Sequence, residues 1–174
     1  MPVSAAVNFL ANRRLVNLAG FLACALMLAF ALYVEKVMHI EPCPLCMFQR
    51  VGVAALGLVF LVAAVQHPST QAGARFYAAL IFLVALFPAY VSARHAYIQS
   101  LPPGSVPSCG ATLDFMLEIL PLMEVVRKVL TGGGECARID WQFLGLSMPV
   151  WVLVAVIGLA AVGIYANARQ QRRH

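Results

Sequence analysis

Apolar residues run in four long blocks, and polar residues are confined to the gaps between them. A helix rising ~1.5 Å per residue needs about 20 residues to cross a ~30 Å hydrocarbon core. Leu15–Val34, Phe76–Ala93 and roughly Met148–Ala166 fit that requirement. Val51–Val65 is short alone and reaches spanning length when its helix starts near Cys46. With Arg50 and Arg94 at helix ends, no block holds an internal Asp, Glu, Lys or Arg. The pattern predicts an all-α membrane protein, a four-transmembrane-helix bundle forming a single domain over residues 1–174. The expected spans are about 15–34, 47–65, 76–93 and 148–166, with loops at about 35–46 and 94–147 on one side.

The second of these loops carries a further periodic stretch. Leu122, Met123, Val126, Val129 and Leu130 share one helical face, with Glu124, Arg127 and Lys128 elsewhere on the wheel. Pro121 suits the first turn of such a helix, and Gly132-Gly133-Gly134 ends it. A short amphipathic helix is therefore expected here. Periodicity leaves two placements open: flat in the lipid headgroup zone, or packed on the tops of the spanning helices.

Composition agrees with a lipid solvent. Of 174 residues, 62% are hydrophobic and 11% charged, against about 45–50% and about 25% in soluble domains. The net charge of +5 does not point to nucleic acid, because the chain lacks a groove-reading module. The acids Glu35, Glu41, Asp114, Glu118, Glu124, Glu135 and Asp140 all fall in the two loops. Arg13 and Arg14 before the first span, and Arg169, Arg172 and Arg173 after the last, form purely basic flanks. Such flanks read as cytoplasmic anchors, and an even number of spans puts both termini on that side. Total Lys and Arg are balanced between the sides, so the weight rests on charges near span ends. Arg13-Arg14, the apolar run and Ala29-Phe30-Ala31 mimic a cleaved signal peptide, but the run is longer than such a segment needs.

Five cysteines carry the candidate chemistry. Cys24 lies mid-span, where a small hydrophobic filler is expected. Cys43, Cys46, Cys109 and Cys136 lie in the outer loops, where an oxidising compartment favours disulfides. Cys43-Pro44-Leu45-Cys46 is a CxxC motif at the start of a helix. Its disulfide closes a very small ring and adds little stability, which suits a reactive element better than a staple. Unpaired N–H groups and the helix dipole there favour a thiolate, as thiol–disulfide exchange requires. Cys109 and Cys136 sit in a Pro- and Gly-rich loop, where an ordinary structural disulfide is the plainer reading. A zinc site is not expected, because a single CxxC and a widely spaced second pair do not match structural zinc spacing. Arg50 is a cation at the membrane edge, fit to stabilise a thiolate or the developing charge on a reducible carbonyl compound, or to anchor topology. His95 is placed to donate to the same acceptor or to shuttle protons, or is incidental at the interface.

Three segments together resemble the DsbB family of bacterial inner-membrane disulfide bond formation proteins. These are Cys43-Pro44-Leu45-Cys46-Met47-Phe48-Gln49-Arg50, Gly134-Glu135-Cys136-Ala137, and Trp141-Gln142-Phe143-Leu144-Gly145-Leu146-Ser147-Met148-Pro149-Val150-Trp151 before the fourth span. The resemblance implies a quinone-dependent thiol-disulfide oxidoreductase in the inner membrane, with periplasmic cysteine loops and cytoplasmic termini. It implies that the thioredoxin-like oxidase DsbA attacks Cys109, that Cys136 then exchanges with Cys43, and that Cys46 faces ubiquinone or menaquinone beside Arg50. His95 is expected to join the quinone-binding residues, and no metal is expected. Pro44 within the CxxC, and Gln49 where the best-known member has an acid, depart from that member. The alternative from another class is a four-span scaffold whose outer loops are stapled by inert disulfides.

Overall fold

The computed structural model describes residues 12–102, 113–139 and 141–169. Among them, four helices are long and apolar enough to cross a membrane: α1 (Arg13–Val37), α2 (Pro44–Gln66), α3 (Gln71–Gln99) and α7 (Met148–Ala168). Between α3 and α7 lie three short helices, α4 (Leu113–Ile119), α5 (Leu122–Thr131) and α6 (Gly134–Ala137). A two-stranded hairpin follows, β1 (Gln142–Phe143) paired antiparallel with β2 (Leu146–Ser147). Phe143 faces Leu146 in its register, and Leu144 and Gly145 make the turn with positive φ.

Helix starts follow local chemistry. The Asn12 side chain accepts from the N–H groups of Arg14 and Leu15, and Thr70 Oγ1 accepts from the Gly73 N–H at 3.1 Å. Pro44 opens α2 and Pro149 lies in the first turn of α7, where a missing N–H costs nothing. The helices overrun the apolar blocks that predict them. α1 continues through Glu35 and Lys36, and α3 runs on to Gln99 because its polar end finds partners. Arg94 donates to the carbonyls of Leu130 and Thr131 at 3.2 and 3.1 Å, and Gln99 donates to the Arg138 carbonyl at 3.2 Å. These bonds tie the outer helices to the third span.

In sequence around the bundle, α1 packs along α2, α2 along α3 and α3 along α7. Phe60 is the central side chain, fully buried among Cys24, Leu56, Ile81, Val156 and neighbours. Glycines make room for it. A Cβ on Gly20 would stand 2.8 Å from the Phe60 ring, and one on Gly163 2.6 Å. Close approach through small residues is how helices associate where lipid removes the hydrophobic drive. Pro88 of α3 sits against Gly52 of α2 in the same manner. Cys24 is buried in this cluster, consistent with a filler.

At the terminal end of the bundle a polar clasp closes the ring. Asn17 and Asn167 exchange amide hydrogen bonds of 3.2 and 2.9 Å while fully buried. Arg13, also buried, donates to Gln71 Oε1 and to the Arg169 carbonyl. Each such bond in a membrane contributes about 0.6–2 kcal/mol.

At the opposite end, α5 packs on the bundle. Its buried face is Val125 and Val129, set against Leu45, Val91, Ile98 and Met116. This corrects the face expected from periodicity: Leu122 and Met123 turn outward, 70% and 80% exposed. The rotation is fixed from outside the helix. Gly132, at φ 82°, lies so close to Ile98 that a Cβ there would be 2.3 Å from its Cδ1, and Arg94 holds the last carbonyls.

Replacing Gly163 by Val forces a branched side chain into the Phe60 ring. The expected loss is about 1–3 kcal/mol, read by thermal denaturation in detergent. Adding Phe60→Leu should recover part of it, and no recovery would place the strain elsewhere.

Candidate active site

The site begins at the first turn of α2. Cys43 is the N-cap, extended at φ −67° and ψ 162°, and Pro44 directs the chain into the helix. A helix start leaves several N–H groups without intrahelical partners. The N–H of Cys46 points at Cys43 Sγ at 3.4 Å. The two sulfurs are unbonded and 3.1 Å apart, within reach of disulfide closure by a small side-chain rotation.

The second-loop sulfur meets the same helix start. Cys136, on α6, is 2% exposed and belongs to the cluster built on Leu45, Ile98 and Val129. Its thiol receives a hydrogen bond from Cys43 and backbone N–H bonds from Leu45 and Gly133. The Cys43 bond is the main reason the Cys136 thiol is lowered to about 6, with burial opposing. Cys43 is displaced the other way, upward, first by its bond to Cys136, then by that to Cys46 and by burial. The two thiols are thus pushed in opposite directions by the contact they share.

His95 is buried rather than exposed at the interface. It is 2% exposed and stands at the centre of the group. Its Nε2–H donates to the Cys136 carbonyl at 3.1 Å and faces Cys43 Sγ at 3.7 Å. The Gln49 amide donates to Nδ1 at 3.5 Å, and Cys46 Sγ lies 4.0 Å from the same nitrogen. A carbonyl only accepts and an amide N–H only donates, so the ring hydrogen belongs on Nε2 and the Nδ1 lone pair faces Gln49 and Cys46.

Arg50, on the same helix beyond Cys46, donates to the Ala31 carbonyl at 3.1 Å and is ion-paired with Glu35 of α1. Both side chains are about one-fifth exposed. Cys43, Cys46, Gln49, Arg50 and His95 open onto one cavity of about 300 Å³, at the lower end of the size of small-molecule sites. Phe30, Ala31 and Val34 of α1, Val53 of α2, and Met148, Trp151 and Val152 of α7 supply apolar walls, with Trp141 at the side. Phe30 meets Trp141 edge-on at 5.7 Å, and Trp151 Nε1 donates to the Phe143 carbonyl at 3.1 Å. The hairpin therefore fixes an aromatic corner over the cavity. The lining is mostly apolar with a few convergent polar groups, the usual make-up of a small-molecule site.

The expected residues Cys43, Cys46, Cys136, Arg50 and His95 thus come together. Cys109 lies outside the described residues. Glu35 and Gln49 were not anticipated as partners of Arg50 and His95. Their only signal was an acid ending the first apolar run and an amide next to Arg50.

The sequence model of the family described as "Disulfide bond formation protein DsbB" matches residues 13–166. Among similar proteins, one from Xanthomonas euvesicatoria pv. vesicatoria is 46% identical, covering 89% of this chain and 90% of its own. One from Methylococcus capsulatus is 48% identical, covering 89% and 94%. One from Acinetobacter baumannii is 47% identical, covering 87% and 89%. All three bear the name "Disulfide bond formation protein B". The chain belongs to the DsbB family. It is a multi-pass bacterial membrane protein of disulfide bond formation, and the DsbB motifs coincide with the cavity wall and its sulfur cluster.

In fully reduced protein, alkylation of Cys136 should follow its thiolate. It should be near maximal at neutral pH and fall by half as pH drops to about 6. Cys43 should resist alkylation across that range. Mass spectrometry of the labelled peptides reads both. A Cys136 midpoint near the ordinary ~8.5 would show that the Cys43 bond does not hold.

Proposed function

We propose that this protein reoxidises a periplasmic thioredoxin-fold dithiol oxidase of the DsbA type and passes the electron pair to ubiquinone or menaquinone. The termini are cytoplasmic and the cysteine loops periplasmic. The observation that carries the reading is a dithiol opening, beside Arg50 and His95, onto an apolar cavity at the end of the spanning helices. A scaffold stapled by inert disulfides has no use for such a cavity.

The steps balance as exchange reactions. A partner thiolate attacks Cys109 of a Cys109–Cys136 disulfide, forming a mixed disulfide and releasing the Cys136 thiolate. The partner's second thiolate attacks its own sulfur in that bond, leaving oxidised and freeing Cys109. The Cys136 thiolate attacks Cys43 of the Cys43–Cys46 disulfide, giving a Cys43–Cys136 bond and a Cys46 thiolate. Cys109 then attacks Cys136, which restores the Cys109–Cys136 bond and leaves Cys43 and Cys46 as a dithiol. The quinone supplies the two-electron oxidant that returns this dithiol to the disulfide, and quinol with two protons is the product. Low-pKa thiols both attack and leave readily, as this relay needs.

The residues of the chain divide the remaining work. Arg50 presents a cation to negative charge developing on a carbonyl oxygen. Glu35 and the Ala31 carbonyl hold that guanidinium in place. His95 has a proton on Nε2 and an acceptor at Nδ1 that faces both Gln49 and Cys46, and suits the transfer of the dithiol's proton.

Purified protein in lipid should oxidise a reduced thioredoxin-fold partner only when quinone is supplied, and Cys46→Ser should abolish quinone reduction. Turnover in a quinone-free preparation, or full activity in that variant, would sink the proposal. Arg50→Ala should raise the quinone KM roughly tenfold or more, the value of a lost charged hydrogen bond. Glu35→Gln should shift it the same way by less. Steady-state kinetics with both variants decides, and unchanged KM in both returns Arg50 to an anchoring role.

A further inference from the structure

The sulfur and nitrogen atoms that serve exchange chemistry also match a ligand set. Cys43 Sγ, Cys46 Sγ and a ring nitrogen of His95 all lie within 4.8 Å of one another. We infer that in the reduced protein Cys43, Cys46 and His95 bind one thiophilic d10 divalent cation of the zinc or cadmium class, which blocks reoxidation of the pair.

Tetrahedral zinc with ordinary bond lengths places sulfurs about 3.8 Å apart and sulfur about 3.6 Å from nitrogen. The observed separations are 3.1 Å between the sulfurs and 4.0 Å from Cys46 Sγ to Nδ1. Side-chain rotation at the cysteines covers these differences without moving the helices. The imidazole is already set up as a ligand. A metal-bound histidine typically donates its other N–H to a carbonyl or carboxylate, which orients the ring. Here Nε2–H donates to the Cys136 carbonyl at 3.1 Å, and Nδ1, which accepts from the Gln49 amide at 3.5 Å in the metal-free protein, is the nitrogen a metal would take. Three protein ligands leave a fourth position open toward the cavity, for water or a thiol.

Binding is not a redox step. The two sulfurs bind as thiolates, any proton they still carry is released, and the imidazole donates a lone pair. In the oxidised protein the same sulfurs are joined and offer no thiolate. The site therefore exists only in the reduced form, and occupancy traps that form. The inference requires the dithiol alone and neither a partner oxidase nor a quinone.

The test is a titration of quinone-free protein in phosphatidylcholine nanodiscs with Cd²⁺, following the thiolate-to-metal charge-transfer band. Reduced wild type should saturate at one equivalent, and oxidised wild type should give no band. Cys46→Ser should lose the stoichiometric band, and His95→Ala should weaken binding tenfold or more. His39→Ala, at an exposed histidine outside the site, should titrate as wild type. Thermal melting of each variant separates loss of a ligand from loss of fold. No band at stoichiometric Cd²⁺ in reduced wild type, an equal band in the oxidised form, or unchanged affinity in folded His95→Ala would each overturn the inference. None of these results bears on quinone-dependent turnover, so the two readings fail separately.

Discussion

The structure depends on where a membrane helix can leave its N–H groups unpaired. Within hydrocarbon every backbone polar group must find an internal partner, so the spans are continuous helices. Only at a helix start do free donors remain. In this chain the start of α2 is where the sulfurs collect. The Cys46 N–H points to Cys43, and those of Leu45 and Gly133 to Cys136. Much of the outer segment serves to bring Cys136 to that point. Arg94 fastens the end of α5, Gly132 lets the chain lie against Ile98, and Val125 and Val129 seal the contact.

The acid that pairs with Arg50 comes from a neighbouring helix, not from the adjacent residue. Gln49 stands beside Arg50 in sequence, yet on the helix the two side chains diverge: Gln49 turns to His95 and Arg50 to Glu35. An amide at position 49 fixes the imidazole tautomer without adding charge to the sulfur cluster. An acid there would add a negative charge beside the thiols and oppose a thiolate. Placing the acid at Glu35, on α1, holds the guanidinium toward that helix and away from the Gln49–His95 contact.

The four spans were legible because apolar runs of membrane length have few other interpretations, and CxxC before an apolar run marked the reactive end. Boundaries were less legible. Glu35, His95 and Gln99 look like loop residues in sequence and are helical, held by partners from other segments. The buried face of α5 was misread for a related reason. Leu122 and Met123 count as apolar in any periodicity, but Arg94 and Gly132, outside the helix, decide its rotation. The clasp of Asn17 with Asn167 was equally hidden, because pairing across the bundle leaves no local pattern.

Burial of Cys136 constrains the order of exchange under the proposed function. At 2% exposure, beneath α5 and against Leu45, it is out of reach of a folded partner protein. It lies near enough to Cys43 for each thiol to shift the other's pKa, and both pack in the cluster built on Leu45. A sulfur that serves only internal exchange gains from this enclosure, since a folded protein is kept from it while the thiolate form is favoured. The incoming partner must then be met by a different sulfur of the same loop, and Cys109 is the only other cysteine in that loop. Under the proposed function, packing at the top of the bundle suits Cys136 to internal exchange and leaves the meeting with the partner to Cys109.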